Sequence, residues 1–123
     1  TVAAVVDWEI STLGDPLADL AYALNFFPDP TDTIPISPEA ATAVPGFPTR
    51  TEMAARYGAR TKRDLSNLDY YTAFNRWKSA CIVHGLYARY MDGKKSSEGV
   101  DLEHMRSRID ASLALAEEAV NRL

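Results

Sequence analysis

The chain opens on a nearly unbroken apolar run. Residues 2–8 read Val-Ala-Ala-Val-Val-Asp-Trp, with Glu9 directly after. A short valine-rich run with polar groups at its exit predicts a buried β-strand. Such a strand needs a neighbour for its N–H and C=O groups, and no second strand pattern follows it. From Gly14 the pattern turns helical. Asp15 is placed to cap a helix with Pro16 at its first position, where a missing N–H costs nothing. Leu17, Leu20, Ala21 and Leu24 form one apolar stripe, and Pro28 and Pro30 stop the helix at or before Phe27.

Residues 27–48 hold every proline but Pro16 and almost no periodicity. They predict a long irregular loop, with one turn of helix near Glu39 to Ala43. Long loops inside compact domains concentrate at functional sites, so this one is expected to be the most mobile segment and to border a binding site. Three helices should follow. Thr49-Arg50-Thr51-Glu52 is a capping box opening a short helix through Met53 and Tyr57. Ser66-Asn67-Leu68-Asp69 is a weaker box before a long helix. Tyr70, Tyr71, Phe74, Trp77, Cys81, Gly85 and Ala88 recur along it at near-helical spacing, and Asp92-Gly93 closes it. Asp101 caps a last helix. One of its faces carries Leu102, Met105, Ile109, Leu113, Ala116, Val120 and Leu123, and a solvated face carries Glu103, Arg106, Asp110, Glu117 and Arg122. The fold class is mainly α, with one short N-terminal strand.

Composition narrows the function. The 123 residues form one domain, 46% apolar and 24% charged, with a net charge of −4. Lys and Arg are scattered among acids, with no basic patch for nucleic acid, and no run approaches the roughly 20 apolar residues of a bilayer span. Cys81 stands alone and cannot form an internal disulfide. The first six residues lack the basic start and cleavage pattern of a signal peptide, so a cytoplasmic setting is expected. His84 and His104 have no partners at metal-ligand spacing, which leaves His84 a half-buried helix residue and His104 a surface one. Cys81 reads as a structural thiol, and Tyr70, Tyr71, Trp77 and Tyr87 as core.

The informative stretch is Asp7-Trp8-Glu9 followed by Gly14-Asp15-Pro16-Leu17-Ala18-Asp19-Leu20-Ala21. A carboxylate delivered by an apolar strand suits Mg²⁺, a hard cation that takes one or two carboxylates together with phosphates and waters. The same residue type at a strand exit also forms turns and caps, and spacing alone does not choose between the two. The stretch resembles the segment after the catalytic loop of aminoglycoside phosphotransferases, closest to the branch fused to acyl-CoA dehydrogenases. Choline kinases show a related Asp-Phe-Glu. Ala55-Arg56-Tyr57, Tyr70-Tyr71 and Gly85-Leu86-Tyr87-Ala88-Arg89 resemble that branch's C-terminal helices.

The resemblance implies the C-terminal, acceptor-binding lobe of a protein-kinase-like fold spanning residues 1–123. It implies a parent enzyme that moves the γ-phosphoryl of ATP to a small molecule's hydroxyl with Mg²⁺. Asp7 becomes the metal ligand, and Glu9 points into the same cleft toward substrate or metal-bound water. Asp15 and Asp19 are structural, the first capping its helix and the second bracing the catalytic loop. Asn75 and Lys78, on the long helix, line an acceptor pocket. The family's phosphate-covering loop, strand lysine and His-Gly-Asp-x-x-x-x-Asn catalytic loop do not occur in this sequence. His84-Gly85 is followed by Leu86 and sits mid-helix, so it is no displaced copy. The chain is therefore expected to be a truncated or fragmentary piece, inactive alone, with no catalytic base of its own and no tight hold on ATP or Mg²⁺. Two alternatives stay open: a non-catalytic helical interaction module, and a pseudokinase remnant. The expected partners are a small-molecule acceptor and a second copy, paired through the N-terminal strand or the helices.

Overall fold

The computed structural model describes residues 3–7, 9, 11–34 and 40–123. Four α-helices account for most of them: α1 (Pro16–Leu24), α2 (Arg50–Thr61), α3 (Leu68–Met91) and α4 (Leu102–Val120). The strand expected over residues 2–8 is not formed. Residues 3–7 have no regular structure and are exposed, and the described residues contain no strand. A strand is held by its ladder, and no described segment supplies one. Val2 and Trp8 lie outside the described residues, as does Glu39. The helical turn expected beside Glu39 is present as a 3₁₀ turn at Ala41–Ala43.

Helix starts follow the sequence closely. Asp15 caps α1 by accepting from the Leu17 N–H at 2.9 Å. Thr49 and Glu52 form the reciprocal capping box of α2, and Asp101 caps α4 through the His104 N–H. At the end of α3, Gly93 takes a positive φ of 68°. The Gly93 and Lys94 N–H groups then donate back to the Tyr90 and Arg89 carbonyls, which satisfies the last turn. The box expected at Ser66 is absent. Its N–H and hydroxyl donate to Asp64 instead, and Asn67 stands at the cap position without a side-chain bond.

Helix α3 is the centre of the architecture. Helix α1 packs on one flank and α4 on the other, with α2 against α1. Contacts between α1 and α3 advance in step, Asp15 with Tyr71, Ala18 with Asn75 and Tyr22 with Lys78, so these two helices run in the same direction. Helix α4 returns antiparallel and brings Arg122 to Asp69 at 2.7 Å. Leu17, Leu20 and Leu24 form the core, covered by Met53, Ala54, Tyr57, Leu65, Leu68 and Tyr71. The Leu65 side chain stands 3.1 Å from where a Cβ on Gly58 would lie, so the glycine lets the α2–α3 link fold back. The α3–α4 seam is built from the small residues Ala73, Ala80, Ala116 and Ala119, all buried, with Ile109.

The long helix turns a different face inward from the one its aromatic spacing suggested. Tyr70, Phe74 and Trp77 are about half exposed, and Cys81 and His84 are exposed as well. Tyr71 and Tyr87 are half-buried. The two flanks of α3 are taken by α1 and α4, and the stripe between them is left bare. On α4, Ile109, Ala116 and Ala119 are buried while Leu113 and Val120 are exposed, because the contact line runs along small residues; the helix ends at Val120, so Leu123, expected on its apolar face, lies beyond it and is exposed. Glu103, Arg106, Asp110, Glu117 and Arg122 are exposed as expected.

One knot joins α1 to α2. The Arg50 guanidinium binds Asp32 at 2.7 Å and donates to the carbonyls of Leu24 and Phe27, at 3.4 and 3.1 Å, where α1 ends. Asp29 accepts from the Thr51 N–H and hydroxyl at 2.9 and 2.7 Å, and the Arg50 N–H donates to the Pro28 carbonyl at 3.0 Å. The N–H groups opening α2 are thus met by Pro28 and Asp29, just after α1, while the carbonyls at the end of α1 are met by the Arg50 side chain. The Thr51 hydroxyl, with its N–H and the Thr31 groups, holds the Asp29 carboxyl well below the usual carboxylate range.

Burial predicts opposite outcomes for two large-to-small changes. Leu24→Ala should cost about 2–5 kcal/mol, the range for a core leucine, and Trp77→Ser no more than about 0.5 kcal/mol, the range for a surface change. Urea unfolding of both variants checks this. A Trp77 cost as large as the Leu24 cost would place the aromatic stripe in the core after all.

Candidate functional site

The N-terminal carboxylates come first. Asp7 adopts φ 62°, the left-handed region. That region costs an L-residue roughly 1–2 kcal/mol, and Asp enters it more readily than most. A strained backbone at a polar residue is an observation that points toward function. Asp7 and Glu9 are both exposed, with their side chains open to a ligand. Among the described residues no group of three metal-ligating side chains converges. One or two exposed carboxylates nevertheless suit Mg²⁺ when phosphate oxygens complete its shell.

Helix α1 carries the next two acids. Asp15 accepts the Leu17 N–H and also the Tyr71 hydroxyl, at 2.8 Å. The backbone bond is the larger cause, and the phenol the next, of a carboxyl held below its usual range. The same contact pushes the Tyr71 phenol up. Asp19 is exposed on the outer face of α1, in line with Asp15, Tyr22 and Phe26. Asn75 is buried between α1 and α3, and its amide donates to the Ala18 carbonyl at 2.9 Å. Lys78 is exposed, its ammonium 5.3 Å from the centre of the Tyr22 ring.

These side chains fall into two groups. Asp15, Tyr71, Asn75 and Ala18 are bonded together and fix the rotation of α1 on α3. Tyr22, Phe26, Lys78 and the bare stripe of α3 form the open surface beside them, with Asp19 at its edge. Asp7 and Glu9 stand on the segment leading into α1. Neither Asn75 nor Lys78 lines the cavity beside Phe47 and Arg56 or the one beside Arg50 and Arg76.

Sequence reasoning missed Tyr71 as the partner of Asp15, and the whole cluster of Asp29, Asp32, Arg50 and Arg76. Asp29-Pro30-Thr31 did carry a readable signal: an Asp two residues before an N–H it can accept is a turn former, and the Thr31 N–H bonds the Asp29 carboxylate at 3.3 Å. The partner of Asp15 lies 56 positions away in the chain, and no local pattern announces it.

Comparison with known proteins bears on the family alone. A family model described as the phosphotransferase enzyme family matches residues 1–71. Acyl-CoA dehydrogenase family member 11 of Gallus gallus is 38% identical over 104 residues, covering 79% of this chain and 13% of that protein. The Homo sapiens protein of the same name is 36% identical over 100 residues, with the same coverage. Acyl-CoA dehydrogenase family member 10 of Mus musculus is 37% identical over 101 residues, which is 78% of this chain and 9% of that protein. The chain thus matches about an eighth or less of the length of these relatives. No solved structure matches it.

The Asp15–Tyr71 contact predicts a directional change. In a Tyr71→Phe variant the Asp15 carboxyl should titrate at higher pH than in the parent, yet still below the ordinary range, because the Leu17 N–H remains. A group with a depressed folded pKa stabilises above its unfolded value and loses that contribution as pH falls through the folded one. The variant should therefore show a weaker Asp15-linked loss of stability in acid. Carboxyl ¹³C NMR titration reads the first outcome; an Asp15 midpoint unmoved by the substitution would remove the phenol from the account.

Proposed function

The chain belongs to the phosphotransferase enzyme family, and we propose that it supplies the helical, acceptor-side part of an ATP- and Mg²⁺-dependent transfer to a small molecule's hydroxyl. The observation that carries the reading is the left-handed, exposed Asp7 ahead of a helix whose rotation is fixed by Asp15, Tyr71 and Asn75. In this reading Asp7 holds the metal and Glu9 adds a second carboxylate or contacts metal-bound water. Bound Mg²⁺ would neutralise charge developing on the phosphoryl oxygens. Asp19, at the edge of the open surface, would brace a catalytic loop laid across α1. Lys78, beside Tyr22, would meet the acceptor, while Asn75 would act by holding α1 in place. The curated relatives are named acyl-CoA dehydrogenases, so hydroxyl-bearing acyl-CoA thioesters are the first acceptors to try, with aminoglycosides as the comparison.

A second reading, a helical interaction module, draws on a separate observation. Tyr70, Phe74, Trp77 and Ile82 leave an apolar stripe on α3, continuous with Tyr22 and Phe26 through Lys78. Under this reading Asp7 has no metal and the stripe is the working surface.

Transfer of label from [γ-³²P]ATP separates the two. A polypeptide carrying a His-Gly-Asp-x-x-x-x-Asn segment ahead of Asp7 should phosphorylate an acceptor, and Asp7→Asn should lower the rate at least about 100-fold. The 123-residue chain alone should transfer nothing. Undiminished transfer after Asp7→Asn would remove Asp7 from the mechanism. No transfer to any acceptor, together with self-association abolished by Trp77→Lys, would favour the module.

A further inference from the structure

On the side of the protein where α1 ends, the turn after α1, the start of α2, the middle of α3 and the end of α4 enclose a polar cavity of about 540 Å³. That is the size of a small-molecule site. Its wall holds three basic residues, Arg50, Arg76 and Arg122, and three acids, Asp29, Asp32 and Glu118. Two of the arginines are engaged: Arg50 binds Asp32 and Arg122 binds Asp69, each at 2.7 Å. Asp29 is filled by the Thr51 and Thr31 groups.

Arg76 differs from its neighbours. Its one hydrogen bond among the described residues is a long one, from Nη2 to the Asn25 carbonyl at 3.3 Å, and no carboxylate pairs with it. A guanidinium carries five N–H donors in a fixed planar fork. Burial first, and the Arg50 charge next, pull its pKa down to about 10 against the opposing pull of the Asp32 carboxylate, so it is still charged at neutral pH. Partial burial thins its hydration, and Asp32 acts on it through charge alone, with no hydrogen bond or ion pair between them among the described residues. No buried side-chain nitrogen or oxygen among the described residues is sealed off without a partner, so the remaining donors of Arg76 open into the cavity.

We propose that this cavity binds a small carboxylate, gripped by the Arg76 guanidinium. The planar fork matches two carboxylate oxygens, and direct hydrogen bonds would fill the donors that no described residue occupies. A single negative charge suits the site better than a dianionic phosphate. Asp32 is shared with Arg50, and among the described residues Glu118 accepts only the Thr33 hydroxyl, at 2.5 Å, so uncancelled negative charge already lies in the wall. Asp7 and Glu9 are not among the lining residues, so this proposal and the phosphotransferase reading fail or stand separately.

Titration of the 123-residue chain with sodium butanoate, sodium phosphate and sodium chloride at matched ionic strength and pH 7 tests it. The Arg76 Nε–Hε NMR signal should shift saturably with butanoate, with half-saturation about tenfold lower than for phosphate, a difference of about 1.4 kcal/mol. Butanoate should raise the melting temperature of the parent but not of Arg76→Gln. Glu118→Gln, which removes a like charge, should tighten butanoate binding several-fold and so decides the matter if the arginine variant does not fold. Absence of a saturable shift, equal binding of phosphate, a butanoate effect that survives Arg76→Gln, or no tightening in Glu118→Gln would each overturn the proposal.

Discussion

The Arg50 guanidinium is the constraint on which this arrangement depends. A helix of nine residues has few internal bonds relative to its unsatisfied ends, and α1 carries most of the apolar core. Its last carbonyls lie where the chain turns away through Pro28 and Pro30. Arg50 satisfies the carbonyls of Leu24 and Phe27 while its charge is held by Asp32, whose side chain is only 8% exposed. Since Arg50 is also the first residue of α2, one side chain fixes where α2 starts relative to where α1 ends. Asp29 secures the same junction from the other side by closing on Thr51. With α1 placed, Asp15 can reach Tyr71 and Ala18 can reach Asn75, so α3 is aligned in turn.

Local signals in the sequence were sufficient for the ends of helices and insufficient for their faces. Asp15-Pro16, Thr49 with Glu52, Asp101 and Asp92-Gly93 each act through neighbours within a few residues, and each does what its local chemistry dictates. The face of α3 is decided by what packs against it. Apolar residues lie nearly all round this helix, so periodicity picks out an aromatic stripe without saying whether it faces in or out. Small alanines win the α3–α4 seam because they let the helices approach closely, and the larger side chains are left outside. Ser66 belongs to a turn closed by Asp64, two residues earlier, and α3 starts one residue later than the box predicts, with Asn67 at the cap position.

The candidate site divides along the same line. Asp7, Glu9 and Asp15 stand out from their immediate context, and the family match covers that part of the chain. Asn75 drew notice only by position, and its buried amide proves to brace α1. Arg76 carries no signal in the sequence at all. Its interest comes from lying beside Arg50 with most of its donors unfilled among the described residues, which depends on residues far apart in the chain. The proline-rich loop concealed the Asp29 and Asp32 contacts because prolines announce the loss of regular structure and say nothing about side-chain anchoring.

The most direct test of the Arg50 junction is a double-mutant cycle. Arg50→Met, Asp32→Asn and the double variant would be compared with the parent by urea unfolding. Arg50→Met alone should cost about 3 kcal/mol, the range for leaving a buried charge unpaired. The two changes should then couple by at least about 1.5 kcal/mol, since the second removes the charge that the first exposes. Costs that simply add, with coupling below about 0.5 kcal/mol, would contradict the view that this pair holds α1 to α2.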